Sequence, residues 1–170
     1  MNNRSDPTWR PLSPGDFQAV DRIAQAIHVD LFERTEVLFD KVAFFPQGCR
    51  KLTSANETVG YAIAHPWYLN EIPALDCFLP VRPEPPDCLF IHDVAVLPSA
   101  RGSHAAGGFL ALLRPLARAR GLRFFACVSV YGTDRLWSRY GFTPVSRPEI
   151  DVKLHAYGPT AMYMVASIGG

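Results

Sequence analysis

The chain lacks several features that would assign it to other classes of protein. Its net charge is only +1, and no run of Lys and Arg interleaved with aromatic residues occurs, which argues against a nucleic-acid partner. No apolar stretch reaches membrane-spanning length, and the polar segment Met1–Thr8 lacks the apolar core of a signal peptide. We therefore expect a cytoplasmic protein with no membrane partner.

Cysteine is scarce and scattered. No Cys-x-x-Cys pair occurs, so neither a zinc site nor a disulfide framework is indicated, and we expect no bound metal and reduced thiols at Cys49, Cys77, Cys88 and Cys127. What the chain does have is apolar content. With 170 residues, 48% of them hydrophobic, it is long enough to form one compact domain over residues 1–170.

The patterns of apolar residues predict a mixed α+β domain. A stripe at three- and four-residue steps predicts a first helix through Phe17, Val20, Ile23, Ala24 and Ile27. A second helical stretch begins near Thr35 and is broken at residues 46–48, and a third follows residue 104, with a kink at Pro115 and a core face of Phe109, Leu112, Leu113, Leu116 and Ala117. Strands are predicted at Trp9–Leu12, Cys49–Ser54, Thr58–His65, Leu89–Val96, Arg123–Val130 and Ala161–Ile168.

The segment between Pro66 and Cys88 contains prolines at short intervals and predicts a long loop. Loops of this length inside a compact domain are usually functional or disordered. Trp67, Tyr68 and Phe78 indicate that this one packs against or binds something. Two interpretations stay open: the loop forms a wall of a substrate site, or its aromatic residues anchor it on the core.

The segment Leu89–Val145 is the most informative part of the sequence. It reads as an apolar strand, a turn containing Gly and Arg, a helix, a second strand and a Tyr-Gly-Phe terminus. The turn Arg101–Ala106 stands where the first amides of a helix have no acceptor within the helix. Such a turn favours phosphate oxygens.

The order of these elements and several of their residues resemble the GNAT superfamily of acyl-CoA-dependent N-acyltransferases. The turn is similar to the family pattern Gln/Arg-x-x-Gly-x-Gly/Ala, which Arg101 and Ala106 match, whereas His104 replaces the glycine. Three other segments look like the family's strand end, helix exit and Gly-Phe signature, namely Val94–Pro98, Ala117–Gly121 and Tyr140–Phe142.

The resemblance implies a three-layer α+β fold. Its central sheet is mixed, mostly antiparallel and of six to seven strands, with helices on both faces and a cofactor notch where strands four and five splay apart. The implied cofactor is acetyl-CoA (coenzyme A), with its pyrophosphate in the turn. The implied cofactor-binding residues are Val94, Ala95, Val96, Arg101, Gly102, Ser103, His104, Ala105, Ala106, Thr133 and Trp137.

His92 lies two residues before the strand-end unit, where members of this family often carry the general base. An imidazole suits this work because its ordinary pKa of about 6.5 is close to neutral pH. Strict alternation places Phe90, His92, Val94 and Val96 on one face of the strand and Ile91, Asp93 and Ala95 on the other. Asp93 is the alternative base if a bulge shifts this alternation, and a purely structural role for His92 also stays open.

The proton donor departs from the family. Its usual tyrosine, four residues before the Gly of Gly-Phe, corresponds here to Trp137, which cannot act as an acid. Tyr131 and Tyr140 are the two candidates for protonating a leaving thiolate.

The resemblance implies direct transfer of an acetyl group to a primary amine, without a covalent enzyme intermediate. The acceptor would be a small-molecule amine, an amino acid or a protein amine, and the sequence does not choose among them. The alternative is a non-catalytic acyl-CoA-binding regulatory module, which the departures at His104 and Trp137 favour. Dimers are common in the family, so a homodimer is one state to test.

Overall fold

The computed structural model describes residues 6–102 and 104–169, and the strands in this part of the chain form one seven-stranded sheet. The strand order is β1-β2-β3-β4-β5-β7-β6, and every neighbouring pair is antiparallel except β4 and β5. The strands are β1 (Thr8–Pro11), β2 (Cys49–Ser54), β3 (Glu57–Trp67), β4 (Cys88–Val96), β5 (Phe124–Ser129), β6 (Thr143–Pro144) and β7 (Met162–Ser167).

Helices cover both faces of this sheet. The five α-helices among the described residues are α1 (Phe17–Ile27), α2 (Thr35–Phe44), α3 (Ala105–Ala119), α4 (Asp134–Ser138) and α5 (Pro148–Leu154). Helices α3 and α4 pack on one face, where Phe109, Leu113 and Trp137 meet Ile91 and Phe125. Helices α1, α2 and α5 cover the other face. The predicted three-layer α+β fold is confirmed.

One detail of the helices differs from the sequence prediction. In α3, Leu112 is exposed and Leu110 takes its place in the core, because residue 110 lies on the same face as Leu113 and Ala117. Helix α3 also runs through Pro115 without a break. Pro115 lies on the exposed side, where water can satisfy the carbonyl group that loses its helical partner.

Strands β4 and β5 are paired over only part of their length. Their parallel register runs from Cys88 opposite Phe124 to Ile91 opposite Cys127 and stops there. Beyond this point β4 continues alongside β3 to Val96. The two strands therefore separate at residue 92, which opens the predicted gap in the middle of the sheet.

Candidate functional site

A cavity of about 680 Å³ follows the gap between β4 and β5. It runs from the first turn of α3 to the segment between α1 and α2, residues 28–34. Most of the residues predicted from the sequence line it: His92, Val94, Val96, Arg101, Gly102, His104, Ala105, Ala106, Tyr131, Thr133, Trp137 and Tyr140. One continuous cavity thus joins the predicted cofactor turn to the predicted catalytic residues.

Two predicted residues stand apart from this set. Ala95 does not line the cavity, because its side chain is fully buried beneath α1 and α2 and its backbone pairs with Tyr61 of β3. Ser103 lies outside the residues that the structure describes.

The backbone of β4 offers hydrogen-bonding groups to the gap. Leu97 donates its N–H to the carbonyl oxygen of Val59 at 2.8 Å, and along an antiparallel pair such bonds recur at every second residue. The backbone groups of Val94 and Val96 therefore point away from β3, toward the gap. There the Arg101 Nε donates to the carbonyl oxygen of Val96 at 3.3 Å.

The turn before α3 places backbone amides at the other end of the cavity. Gly102 has φ +80° and His104 has φ +55°, so both adopt the left-handed conformation that favours glycine. Gly108 donates to the His104 carbonyl at 3.0 Å, so the amides of residues 105–107 come before the first N–H group that has an acceptor at the start of the helix. His104 thus occupies a glycine-type backbone position, which is the conformational cost of the departure seen in the sequence.

His92 and Asp93 both face the layer formed by α1 and α2. The β3–β4 register shifts between Ile63, opposite Asp93, and Ala64, opposite Ile91, so His92 is the extra residue of a β-bulge. The predicted alternation, with His92 and Asp93 on opposite faces, is therefore wrong. Val94 turns to the α3 face with Ile91, whereas Asp93 contacts Tyr61 on the α1 face.

Each of these residues contacts a residue of the segment 28–34 that ionises to the opposite charge. His92 Nε2 lies 2.9 Å from Glu33 Oε1, and His28 Nε2 lies 2.9 and 3.0 Å from the two carboxylate oxygens of Asp93. Tyr61 donates its hydroxyl to Asp93 Oδ2 at 2.6 Å. We name these the two imidazole–carboxylate pairs, His92–Glu33 and His28–Asp93.

The pairs keep their carboxylates ionised. Burial alone would raise the pKa of Asp93, but the charge and hydrogen bond of His28, with the Tyr61 hydroxyl, hold that pKa below its usual value. Burial opposes ionisation of Glu33 in the same way, and His92 lowers its pKa. Burial would lower the pKa of His28, yet Asp93 raises it overall.

His28 and Glu33 were missed by the sequence analysis. Both lie in a connection between two helices, where no periodic pattern distinguishes one polar residue from another. One signal in the sequence could have pointed to them, namely two ionisable residues next to helix ends. His28 directly follows an amphipathic helix, and Glu33 directly precedes Arg34 at the start of the next helix. Only the fold brings them to β4.

The two candidate tyrosines occupy different ends of the cavity. Tyr131 has φ +54°, and its ring stacks on His28 with 6.1 Å between ring centroids and 21° between planes. Partial burial raises the pKa of Tyr131 above an ordinary value at which the hydroxyl is already protonated at neutral pH. Tyr140 lies over the first turn of α3, where a Cβ on Gly107 would come within 2.9 Å of its hydroxyl oxygen.

Trp137 and Thr133 also line the cavity. Trp137 is almost completely buried and packs edge-on against Phe142 at 5.2 Å between centroids. Thr133 donates to the Val130 carbonyl at 2.8 Å and stabilises the turn that follows β5.

The long loop, residues 68–87, contributes Leu75 to the cavity wall. It is fastened by Tyr157, whose hydroxyl donates to the Pro73 carbonyl at 2.7 Å, and by Arg34, which binds Asp76 at 3.1 Å. Trp67 instead belongs to β3 and the core, and Phe78 is exposed beneath the Arg34 guanidinium. The loop thus contributes to the cavity wall, and of the two predicted anchors Trp67 and Phe78 only Trp67 lies in the core.

Two negative observations complete the site. No group of three or more His, Cys, Asp or Glu side chains within residues 6–102 and 104–169 is arranged to hold a metal ion. In the same part of the chain, no helix is both long and apolar enough to span a membrane.

Solved structures share this architecture along nearly the whole chain. Ard1 from Thermoplasma volcanium has a TM-score of 0.72 at 18% identity, and the match covers 96% of this chain and 99% of that one. The ribosomal-protein-S18-alanine N-acetyltransferase from Escherichia coli gives 0.66 at 17% identity, covering 96% and 95%. GphF, a GNAT-like decarboxylase in complex with isobutyryl-CoA, gives 0.73 at 17%, covering 95% and 100%.

The chain has the GNAT fold. No protein-family model and no curated protein matches the sequence. The seven-stranded, mostly antiparallel sheet with its parallel β4–β5 pair agrees with this fold.

Proposed function

We propose that the protein is an N-acetyltransferase that transfers the acetyl group of acetyl-CoA directly to a primary amine. The observation that carries the proposal is the single cavity, which connects the turn before α3, the open edge of β4 and the two imidazole–carboxylate pairs. Two structural neighbours support it, because one is named as an N-acetyltransferase and another was crystallised with an acyl-CoA.

The cofactor end of the cavity fits a coenzyme A molecule. The free amides at the start of α3 suit phosphate oxygens, and the Arg101 guanidinium adds positive charge beside them. Backbone groups of Val94 and Val96 suit the amides of a pantetheine arm. Bound acetyl-CoA supplies the thioester carbonyl that an amine attacks.

The remaining residues of the proposal handle protons and position the acceptor. The His92–Glu33 pair accepts a proton from the ammonium group through water, with the Glu33 carboxylate toward the cavity and His92 acting through its Nε2 contact with that carboxylate. Tyr131 or Tyr140 gives a proton to the departing thiolate. Holding both substrates in one cavity supplies much of the acceleration, since no covalent intermediate is needed.

An amine panel tests the proposal. The full chain is incubated with acetyl-CoA and with alkylamines, amino acids or peptides, while thiol release and acetylated product are measured. We expect product with at least one class of amine. His92→Ala should alter the pH dependence of transfer, and an unchanged profile would remove His92 from the base role.

The same assay addresses the alternative, a non-catalytic acyl-CoA-binding module, which the histidine at a glycine-type backbone position favours. Such a module would be stabilised thermally by CoA without releasing thiol in the presence of any amine. A chain that shows neither stabilisation nor turnover would contradict both functions.

A further inference from the structure

The end of the cavity farthest from the α3 turn, which we call the acceptor end, is lined by the two imidazole–carboxylate pairs and by apolar side chains. The apolar wall consists of Ile27, Leu31, Leu38, Leu75, Phe90 and Tyr157. His28, Leu31 and Glu33 line the cavity from the same short connection, residues 28–34. The acceptor end thus combines two carboxylates, each paired with an imidazole, with an apolar surface.

The carboxylates of Asp93 and Glu33 reach the cavity surface. The side chains of Asp93 and Glu33 retain 11% and 10% exposure and that of His28 retains 14%, whereas that of His92 retains 2%. Both imidazoles direct Nε2 at a carboxylate, and their Nδ1 atoms are buried without a hydrogen-bond partner among the described residues. Neither imidazole has a nitrogen free to bind an anion in the cavity.

Strong cations are confined to the other end. The arginines in the described cavity lining are Arg101, in the turn before α3, and Arg139, next to Tyr140, whose ring lies over α3. No lysine occurs in that described lining. Lys41, close to Glu33, is fully buried, and its ammonium group donates hydrogen bonds to the carbonyl oxygens of Val37 and Cys77.

We propose that the acceptor is a primary amine with an apolar body and no carboxylate beside the amino group, bound as its ammonium ion by Asp93 and Glu33. This inference rests on the proposed function and narrows its substrate. A free amino acid would bring its α-carboxylate next to two ionised carboxylates, and like charges at close range repel each other. An alkylamine or the N-terminus of a peptide carries no such charge.

Three acceptors with the same isobutyl body test the proposal in the wild-type protein. 3-Methylbutylamine has no group beside the amino-bearing carbon other than the apolar body, leucinamide has a neutral carboxamide there, and leucine has an ionised carboxylate. We expect kcat/KM for the amine and for leucinamide to exceed that for leucine by at least about tenfold. Equal or better use of leucine overturns the proposal.

Variants locate the effect. Asp93→Asn and Glu33→Gln should each reduce the ratio of kcat/KM for 3-methylbutylamine to kcat/KM for leucine, because each variant removes one charge that repels the leucine carboxylate. Glu36→Gln, an exposed position outside the cavity, should leave it unchanged. If both variants prefer 3-methylbutylamine over leucine as strongly as the wild type does, Asp93 and Glu33 are not the cause of the preference.

A binding measurement separates this inference from the proposed function. Saturation-transfer NMR without acetyl-CoA compares 3-methylbutylamine with leucine as ligands of the wild-type chain. If the amine binds preferentially to a protein that releases no thiol, the proposed preference for amines is supported and the proposed acetyltransferase activity is refuted. Preference for leucine, or binding of neither, overturns the inference whether or not transfer occurs.

Discussion

His92 and Asp93 are consecutive residues of β4, and their side chains lie on the same face of the sheet. The β-bulge at His92 produces this arrangement, because it adds one residue to β4 without a partner on β3. His92 therefore reaches Glu33 and Asp93 reaches His28, each at 2.9 Å, from one short segment between α1 and α2. Without the bulge, one of the two pairs could not form.

His104→Gly should stabilise the protein. The left-handed conformation at residue 104 costs an ordinary L-residue about 1 to 2 kcal/mol, and the greater freedom of glycine in the unfolded chain offsets part of the gain. We expect the free energy of unfolding in urea to rise by about 0.5 to 1 kcal/mol. His104→Ala keeps the Cβ atom, so an equal gain in that variant would contradict the explanation.

Gly107→Ala and Gly108→Ala should have opposite effects although the residues are neighbours in α3. A Cβ at residue 108 meets Trp9 at 3.4 Å, an ordinary contact, so the variant gains up to about 1 kcal/mol of helix propensity. A Cβ at residue 107 comes within 2.9 Å of Tyr140 and must displace its ring. We expect Gly107→Ala to lower the melting temperature of the wild-type protein. The same substitution should raise the melting temperature of the Tyr140→Ala variant, in which the ring is absent.

Two buried histidines, His28 and His65, should make the free energy of unfolding depend on pH in opposite directions. The raised pKa of His28 means that its contribution is fully present below pH 6.5 and disappears as the pH rises through the folded-state pKa. Burial and the charge of His92 lower the pKa of His65 well below 6.5, so its neutral burial costs stability as the pH falls below 6.5.

Urea unfolding at pH 5.5 and 8.5 measures these terms. His28→Gln should lose more stability relative to wild type at the lower pH. His65→Phe should compare more favourably with wild type at the lower pH than at the higher. The same pH dependence in both variants would show that the two histidines are not held in the environments described.

Tyr131→Phe should lower kcat more than Tyr140→Phe. Tyr131 stacks on His28 at the acceptor end and keeps its proton at neutral pH, whereas Tyr140 packs over the first turn of α3. We expect at least about a tenfold loss of kcat for Tyr131→Phe, with unchanged affinity for CoA. A larger loss in Tyr140→Phe would move the proton-donating role to that residue.

Regular elements with a strong apolar pattern could be predicted from the sequence. The bounds of β2, Cys49–Ser54, are those expected, and the second helix begins at Thr35 as expected. Helix α5 was missed because only Ile150 in it is buried, so it shows no apolar periodicity. The strand β6 is only two residues long, which is too short for an alternating pattern.

The candidate site was predictable only where it follows from local order. The turn Arg101–Ala106 and the end of β4 are contiguous with a strand and a helix, so the sequence places them in the gap. The bulge at His92 depends on how β3 and β4 pair, which leaves no mark in either strand alone. His28 and Glu33 reach the site through packing of α1 and α2 on the sheet, and local sequence carries no trace of such long-range contacts.

The most direct test of the account is a crystal structure of the protein with CoA. We predict that the diphosphate oxygens lie about 2.7 to 3.2 Å from the backbone nitrogens of Ala105 and Ala106, with the pantetheine arm along Val94 and Val96. CoA bound elsewhere, or those nitrogens bonded to the protein's own chain while CoA is present, would contradict it.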